Sequence, residues 1–393
     1  MSEVDSNKII IAALTGDGVG PEIIFRAIDI LKITQEELPV SFDIDFIECG
    51  GRYYLTHEKE WPDDASDRCA RAHAVLLGAV GHVVNGKPVM TRPGHPYPDS
   101  RIAGYAPVIG TRQSLGLYAN VRPVKKLSGV KSKIMTQLTD IWGQGEFDYV
   151  IVRENTEDAY TGKSVITDDR VQTRIEITRD ATYRIARFAF DLARKRGQKK
   201  RVTCVDKSNI IAAHAFFREQ VARVGKEAYP DINLTFAYAD SFCLSQLQNP
   251  DKFDVVVCPN FVGDIVSDAA ALIMGGLGMA PSANLGENHA MFEPIHGSAP
   301  DLFGLDQVNP VGMILSVGMM FDWLYDRTGN FLLKPLSTFL KQAIQICFKK
   351  NLFTRDLAVH SWIGTRAMGE AIAVEYQSLL IQWKGEDFHG HPK

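Results

Sequence analysis

The chain has 393 residues, enough for two domains or one large domain with insertions. Apolar residues make up 45% and charged residues 23%, the balance of a folded globular protein and not of a disordered one. A formal charge of -4 gives no basic footprint for nucleic acid, and the one dense cluster, "ARKRGQKKR" (193–201), reads as the polar end of a helix plus its loop.

The polar start, "MSEVDSNK", has no basic n-region and no apolar h-region, so no signal peptide is expected. "KIIIAAL" (8–14) predicts a strand, "TGDGVGPEI" a glycine-rich turn, and "IFRAIDILKIT" a helix by its periodicity. "FDIDFIEC" alternates as a strand does, and "ASDRCARAHAVLLGAVG" predicts a helix running into a buried strand. Residues 82–107, rich in Gly, Pro and His, predict a loop. "LGLYANVRPVKK" and "FDYVIVREN" predict strands. "RIEITRDATYRIARFAFDLARKRG" predicts a strand, then a long amphipathic helix stopped by glycine. "KRVTCVDKSNI" reads as a strand and a helix start, and "NLTFAYAD" as a strand ending at Asp240. Segments 311–323 and 335–349 predict helices with buried faces. No apolar run reaches the roughly 18 residues needed to cross a bilayer. Six cysteines without CxxC or CxxH spacing point to reduced thiols, not to disulfides or zinc. Strands alternating with helices predict an α/β architecture with a largely parallel sheet, whose ligands gather at the carboxyl ends of strands.

In "PNFVGDIVSDAA" (259–270), Asp264 and Asp268 share one helical face. By themselves they read as a cap and a solvent contact. With Asp240 they make three hard oxygen ligands suited to Mg²⁺ or Mn²⁺. Arg112, Arg122 and Arg153 offer planar forks that match carboxylates, so beside a metal site they point to an acidic substrate. Tyr160 and Lys207 are candidate proton carriers. "EPIHGSAPDLFGLDQVNP" (293–310) is a loop of small residues able to lay its backbone against a flat or phosphorylated ligand, with Asp301 placed for ribose hydroxyls. "GDGVG" (16–20) is neither GxGxxG nor a P-loop, so an ordinary Rossmann fold is not predicted.

Together "TGDGVGPEI", "LLGAVG", "LYANVRP", "VRENTEDAY", "VDKSN", "PNFVGDIVSDAAALIMGGLGMAPSAN" and "EPIHGSAPD" resemble the β-decarboxylating dehydrogenases of isopropylmalate, isocitrate, homoisocitrate and tartrate. The resemblance implies an α/β fold of the isopropylmalate-dehydrogenase type, with two domains and a mixed, largely parallel sheet. Residues 1–118 and 276–393 would form a discontinuous cofactor-binding domain, and 119–275 a smaller domain with the dimer interface. It further implies NAD- and metal-dependent oxidation of a 3-substituted (2R)-malate, followed by loss of CO₂, to give a 2-oxo acid.

By that resemblance Arg112, Arg122 and Arg153 would hold the malate carboxylates. Asp240, Asp264 and Asp268 would hold Mg²⁺ or Mn²⁺, with Asp240 and Lys207 supplied by the partner subunit of a homodimer. Lys207 would serve hydroxyl deprotonation, and Tyr160 would protonate the enolate carbon. His296, Gly297, Ser298, Ala299, Pro300, Asp301, Asn309 and Asn209 would bind the cofactor. Asp301 implies NAD, since a lysine there goes with NADP.

Substrate choice in the family depends on the residues before the first arginine. Isocitrate enzymes place Ser and Asn where this chain has Ala106 and Val108, which argues against isocitrate. Isopropylmalate enzymes have an apolar pair preceded by Glu; Val108 and Ile109 resemble the pair, and Tyr105 stands in place of Glu. Homoisocitrate, tartrate and malate stay open, as do a non-catalytic regulatory homologue, although every catalytic residue that maps is kept, and a metal-dependent phosphate-handling enzyme without nicotinamide, although it would not need the "HGSAPD" loop. Arg92, His95 and Arg101 read either as solvated loop charges or as contacts to an extra anionic group. Thr15 replaces the family's usual Pro, and "TRDLAVHSWIGTRAMGEAI" departs from the glycine-rich family ending, so the expected substrate is isopropylmalate-like with room for a non-standard 3-substituent. The expected partners are a small hydroxy di- or tricarboxylate and a second copy of the chain, in the cytoplasm, with no nucleic acid and no membrane.

Overall fold

In the computed structural model the described residues are 8–92, 101–134, 137–139, 142, 147–161 and 164–387. Ten strands form one sheet: β1 (Lys8–Leu14), β2 (Ser41–Ile47), β3 (Ala74–Leu77), β4 (Ala119–Lys125), β5 (Asp148–Glu154), β6 (Arg201–Asp206), β7 (Asn233–Tyr238), β8 (Val255–Cys258), β9 (Pro281–Leu285) and β10 (Ala290–Pro294). Their order is β7-β6-β8-β5-β4-β9-β10-β3-β1-β2. Pairing is parallel in both wings and antiparallel only in the centre, from β5 through β4 and β9 to β10. One wing thus joins the early strands to β10, and the other holds the strands from the middle of the chain.

β3 and β8 are buried along their whole length, as parallel strands covered on both faces must be, which is why "AVLL" and "VVVC" show no alternation. The long helices are α1 (Gly20–Glu37), α2 (Arg179–Arg196), α3 (Ala212–Ala228), α4 (Ala239–Gln248), α5 (Asn260–Ala271), α6 (Val311–Thr328), α7 (Leu336–Lys349) and α8 (Thr365–Asp387). α1 packs on α8, α8 on α7 and α7 on α6, while α2 packs with α3, and α5 lies on β5. Thr178 caps α2 by accepting from the Ala181 N–H, and Gly197 ends it at φ 62°. The basic cluster that follows is paired: Arg194 with Asp231, Lys195 with Asp326, and Arg196 with Asp148 and Asp254.

Three expectations need correcting. "RIEI" is not a strand; the strand there is Val171–Thr173, paired with Ser164–Ile166, and Arg174 and Glu176 pair with each other in the open. Asp240 does not end a strand, because α4 starts at Ala239, one residue after β7. Residues 82–107 are not all loop: Val83–Val84 pairs with Lys87–Pro88, and Ala106 opens a π-helical turn, Ala106–Gly110. No helix among the described residues is long and apolar enough to cross a membrane. All six cysteines are free.

Candidate active site

The site forms where the antiparallel centre of the sheet meets α5. Arg122 comes from β4, Arg153 from β5, and Arg112 from the one-turn helix Thr111–Ser114. π-helical turns are rare and tend to mark functional positions. This one delivers Val108 and Ile109 to the cavity that Arg112 enters.

The three arginines are 7%, 5% and 1% exposed, so each charge needs partners. Arg153 donates from Nε to Asn260 Oδ1 at 2.9 Å and from Nη1 to Asp264. Arg122 donates to Asn120 Oδ1 at 2.7 Å, Ser267 Oγ at 2.6 Å, Asp268 Oδ1 at 3.2 Å and Asp264 Oδ1 at 3.4 Å. Arg112 Nη2 donates to Glu293 Oε1 at 2.8 Å, while its Nε is buried without a partner. Gly263 lets α5 lie this close, since a Cβ there would meet Arg153 Cγ at 2.6 Å.

α5 buries Val262, Val266 and Ala270, and the helical period then turns Asp264 and Asp268 toward the arginines. Phe261 and Ile265 lie on its exposed side. The Tyr160 hydroxyl donates to Asp264, and its ring lies 5.0 Å from the Arg153 guanidinium. Burial, together with that hydrogen bond, pushes the Tyr160 phenol up to about 12. Burial works against the Asp264 charge, yet Arg153 and Arg122 hold its carboxyl below the ordinary range. Asp268 moves the other way, raised by burial and by the charge of Asp264 against the pull of Arg122. Burial brings Arg153 down to about 10, which leaves it charged at neutral pH.

A cavity of ≈ 240 Å³ opens here. Its polar wall is made by Arg112, Arg122, Arg153, Tyr160, Asp264 and Glu293, and Val80, Val108 and Ile109 also line it. With Asp268, three carboxylates balance three guanidiniums, and the cluster is formally neutral. A neutral cluster does not draw in a dianion. One divalent cation beside Asp264 and Asp268 restores two positive charges and relieves their mutual repulsion, so the donor set fits Mg²⁺ or Mn²⁺.

Asp240 is not with them. It accepts from Lys207 Nζ at 2.8 Å, and neither residue lines the cavity. Among the described residues no group of three or more His, Cys, Asp or Glu is placed within one chain to hold a metal ion. Tyr105 also stays outside the lining, stacked under Arg101 at 4.0 Å. Arg101 faces Glu60 at 3.8 Å, Arg92 is exposed, and His95 lies outside the described residues.

The 296–301 loop packs on the first turn of the chain. The Val19 N–H donates to the Ser298 carbonyl at 2.9 Å, and Gly18, at φ 52°, has no room for a Cβ, which would meet that oxygen at 2.1 Å. His296 and Gly297 line the cavity, and His296 Nε2 is buried without a hydrogen-bond partner, a polar atom suited to a bound ligand. Burial lowers the His296 pKa. Ala299 sits at φ 38°, ahead of the turn Pro300–Leu302, and Asp301 is exposed. Asn309 is already engaged: its Oδ1 accepts from the Val311 N–H at 3.0 Å, and its Nδ2 donates to Asp356 at 3.1 Å. Asn209 is exposed in the turn behind Lys207, not in this loop.

Sequence reasoning passed over the residues that hold the arginines. Glu293 opens the quoted loop, and Asn120 stands two residues before Arg122, but neither carries a signal of charge pairing by itself. Asp17 was also missed as an anchor: it accepts from the Gly51, Arg52 and Gly81 N–H groups at 2.8, 2.9 and 2.9 Å.

The sequence profile of the isocitrate/isopropylmalate dehydrogenase family matches residues 10–372. The chain belongs to this family. It is 34% identical to a 3-isopropylmalate dehydrogenase of Chlorobium luteolum over 365 residues, covering 92% of this chain and 98% of that one. It is also 34% identical to a homoisocitrate dehydrogenase of Methanocaldococcus jannaschii, covering 92% and 96%. Among solved structures, an isocitrate dehydrogenase from Methylococcus capsulatus superposes with a TM-score of 0.79 at 30% identity, covering 94% of this chain and 99% of that one. The family shows the protein to be an oxidoreductase acting on CH–OH groups, and the relatives support the family's oxidative decarboxylation.

Proposed function

We propose that this family member oxidatively decarboxylates a 3-substituted (2R)-malate to a 2-oxo acid and CO₂, using NAD and Mg²⁺ or Mn²⁺. The observation that carries the reading is the cavity itself, where three buried arginines and Tyr160 share a wall with Val80, Val108 and Ile109. Arginine forks bind the two carboxylates of a malate. The aliphatic side chains suit an apolar 3-substituent, as in isopropylmalate, better than the extra carboxylate of homoisocitrate.

The cation would supply Lewis acidity at the substrate hydroxyl, and NAD would accept the hydride. Arg112, Arg122 and Arg153 orient the carboxylates. The raised Tyr160 phenol stays protonated at neutral pH and can give a proton to carbon after CO₂ leaves. Lys207 and Asp240 reach the site from the partner subunit. That part of the reading is supported by their separation from the cavity in one chain, and by the exposed apolar residues Phe261, Ile265, Leu244, Val165 and Val171. The exposed Asp301 supports NAD over NADP. The domain division, 1–118 with 276–393 against 119–275, is supported by the two parallel wings of the sheet. The six free cysteines fit a reducing, cytoplasmic setting.

The test is NADH formation, measured with isopropylmalate, homoisocitrate, isocitrate, tartrate and malate, with and without Mn²⁺. Isopropylmalate is expected to turn over fastest, and only with metal. No NADH from any of them would refute the reading. Faster turnover of homoisocitrate would overturn the assignment of an apolar substituent.

A further inference from the structure

His214 stands at the third position of α3 and is 1% exposed. Its Nδ1 accepts the backbone N–H of Lys207 at 3.2 Å. The Lys207 carbonyl accepts from Ile210 and Ile211 at 3.1 and 2.9 Å, so the lysine's peptide groups are held on both sides. The contact works like the N3 side chain of a capping box, which reaches back to an N–H upstream of its helix. Ile211, at the N-cap, offers no side-chain cap of its own.

An Nδ1 that accepts puts the proton of a neutral imidazole on Nε2. Nε2 is buried, has no hydrogen-bond partner and faces Asp158 Oδ1 at 3.8 Å. Asp158 is itself 1% exposed and held at φ 72°, a backbone state that persists only where its surroundings enforce it. Its carboxylate accepts from the Ala159 N–H at 2.7 Å and from the Phe261 N–H at 2.9 Å. Those bonds fix the turn that carries Tyr160 and the start of the helix that carries Asp264. One imidazole therefore stands between the turn that presents Lys207 and the turn that presents Tyr160.

We infer that His214 is a positioning residue, holding the Lys207 backbone by a hydrogen bond and packing its other nitrogen against the Asp158 carboxylate, so that both proton carriers are held in register. The inference rests on the proposed roles of Lys207 and Tyr160. Lys207 points its amine at Asp240 and not into its own cavity, so the imidazole links one half-site of the chain to the other. No hydrogen bond or ion pair among the described residues joins His214 to the three arginines, so its loss should spare substrate binding and slow the chemistry.

The test compares His214→Leu, which removes both nitrogens, with His214→Asn, whose side-chain oxygen can accept where Nδ1 did. Melting temperature, kcat and KM are measured for each. His214→Leu is expected to lower kcat by roughly 10- to 100-fold, the scale of a small misplacement of a reacting group, with KM for the hydroxy acid unchanged. His214→Asn is expected to recover most of kcat. Unchanged kcat in His214→Leu, or equal losses in both variants, would overturn the inference. A wild-type protein that makes no NADH would instead overturn the proposed function. The link is then read without activity, by nitrogen NMR of the imidazole and of the Lys207 amide. The expected result is the Nε2–H tautomer with a Lys207 amide shift that moves in His214→Leu; an Nδ1–H tautomer overturns the inference by itself.

Discussion

The Tyr160 hydroxyl donates a hydrogen bond to Asp264, the same carboxylate that neutralises the buried guanidinium of Arg153. Asp264 therefore has to serve a phenol, two arginines and the proposed cation from two oxygens. Asp264 and Asp268 would hold that cation, and the Tyr160 phenol, bonded to the same carboxylate, stands beside it with its proton in place. Tyr160→Phe should lower kcat by roughly 10²- to 10³-fold, the usual worth of a general acid, with KM little changed. Steady-state kinetics with the preferred malate check this. An unaltered kcat would remove Tyr160 from the proton-transfer step.

Asp264→Asn should cost more than Tyr160→Phe in activity and more in stability. The amide keeps the size of the side chain and one acceptor oxygen, but it removes the charge that neutralises Arg153 beside Arg122 and Arg112. Leaving a buried charged group poorly satisfied costs about 1–3 kcal/mol. Turnover should fall by more than ~10²-fold and lose its response to Mn²⁺. Thermal melts and metal titrations report the two effects separately. Wild-type metal dependence in Asp264→Asn would take this residue out of the metal site.

Asp268 carries a pH signature of the opposite sign to Asp264. Asp264 is lowered, so its contribution is present above the unfolded carboxylate value and fades as pH falls through the folded one. Asp268 is raised, so its charge penalises the fold at neutral pH, and acid relieves the penalty. Its side chain is 56% exposed, which keeps the effect small. Asp268→Asn should raise the melting temperature of the metal-free protein at pH ~7, with the gain shrinking as pH falls and the aspartate takes up its own proton. The same variant should gain less from added Mn²⁺ than wild type does. A melting temperature unchanged over that pH range would mean that the two carboxylates do not repel.

Most of the sheet could be read from the sequence, because buried parallel strands such as "AVLL" are apolar runs, and α2 has a period and a stop. The "RIEI" segment misled because alternation looks the same with or without a pairing partner. The candidate site was legible as a set of residue types: the arginines, Tyr160 and Asp264 do meet. The pairing was not legible. Glu293 lies 181 residues from Arg112, and Ser267 lies 145 from Arg122, distances that no local pattern spans. Asp240 shows the same limit from the other side, since charge type placed it with Asp264 while the fold of one chain places it with Lys207.

Asp301 should decide the coenzyme. It is exposed in the middle of the short turn Pro300–Leu302, with no arginine or lysine bonded to it among the described ion pairs. In the proposed NAD-binding role, a carboxylate there would accept from ribose hydroxyls and repel a 2′-phosphate. Asp301→Lys should shift the ratio of kcat/KM for NAD over NADP by roughly 10²-fold toward NADP, several kcal/mol of like-charge repulsion being replaced by attraction. An unchanged ratio would place the adenosine ribose elsewhere.

Gly18→Ala tests whether the first turn shapes the proposed cofactor loop. The residue is held at φ 52°, where a side chain is disfavoured, and its Cβ would lie 2.1 Å from the Ser298 carbonyl oxygen. The backbone must shift, and the part that can shift is the 296–301 loop, which the Val19 N–H anchors at 2.9 Å. Arg122 stands on β4, Arg153 on β5 and Arg112 on the helix Thr111–Ser114, and no hydrogen bond among the described residues joins their side chains to this turn. The substitution should therefore raise KM for NAD while leaving KM for the malate near wild type. It should also lower stability by about 1–3 kcal/mol. Equal rises in both KM values would show that the turn supports the whole cavity and not the loop alone.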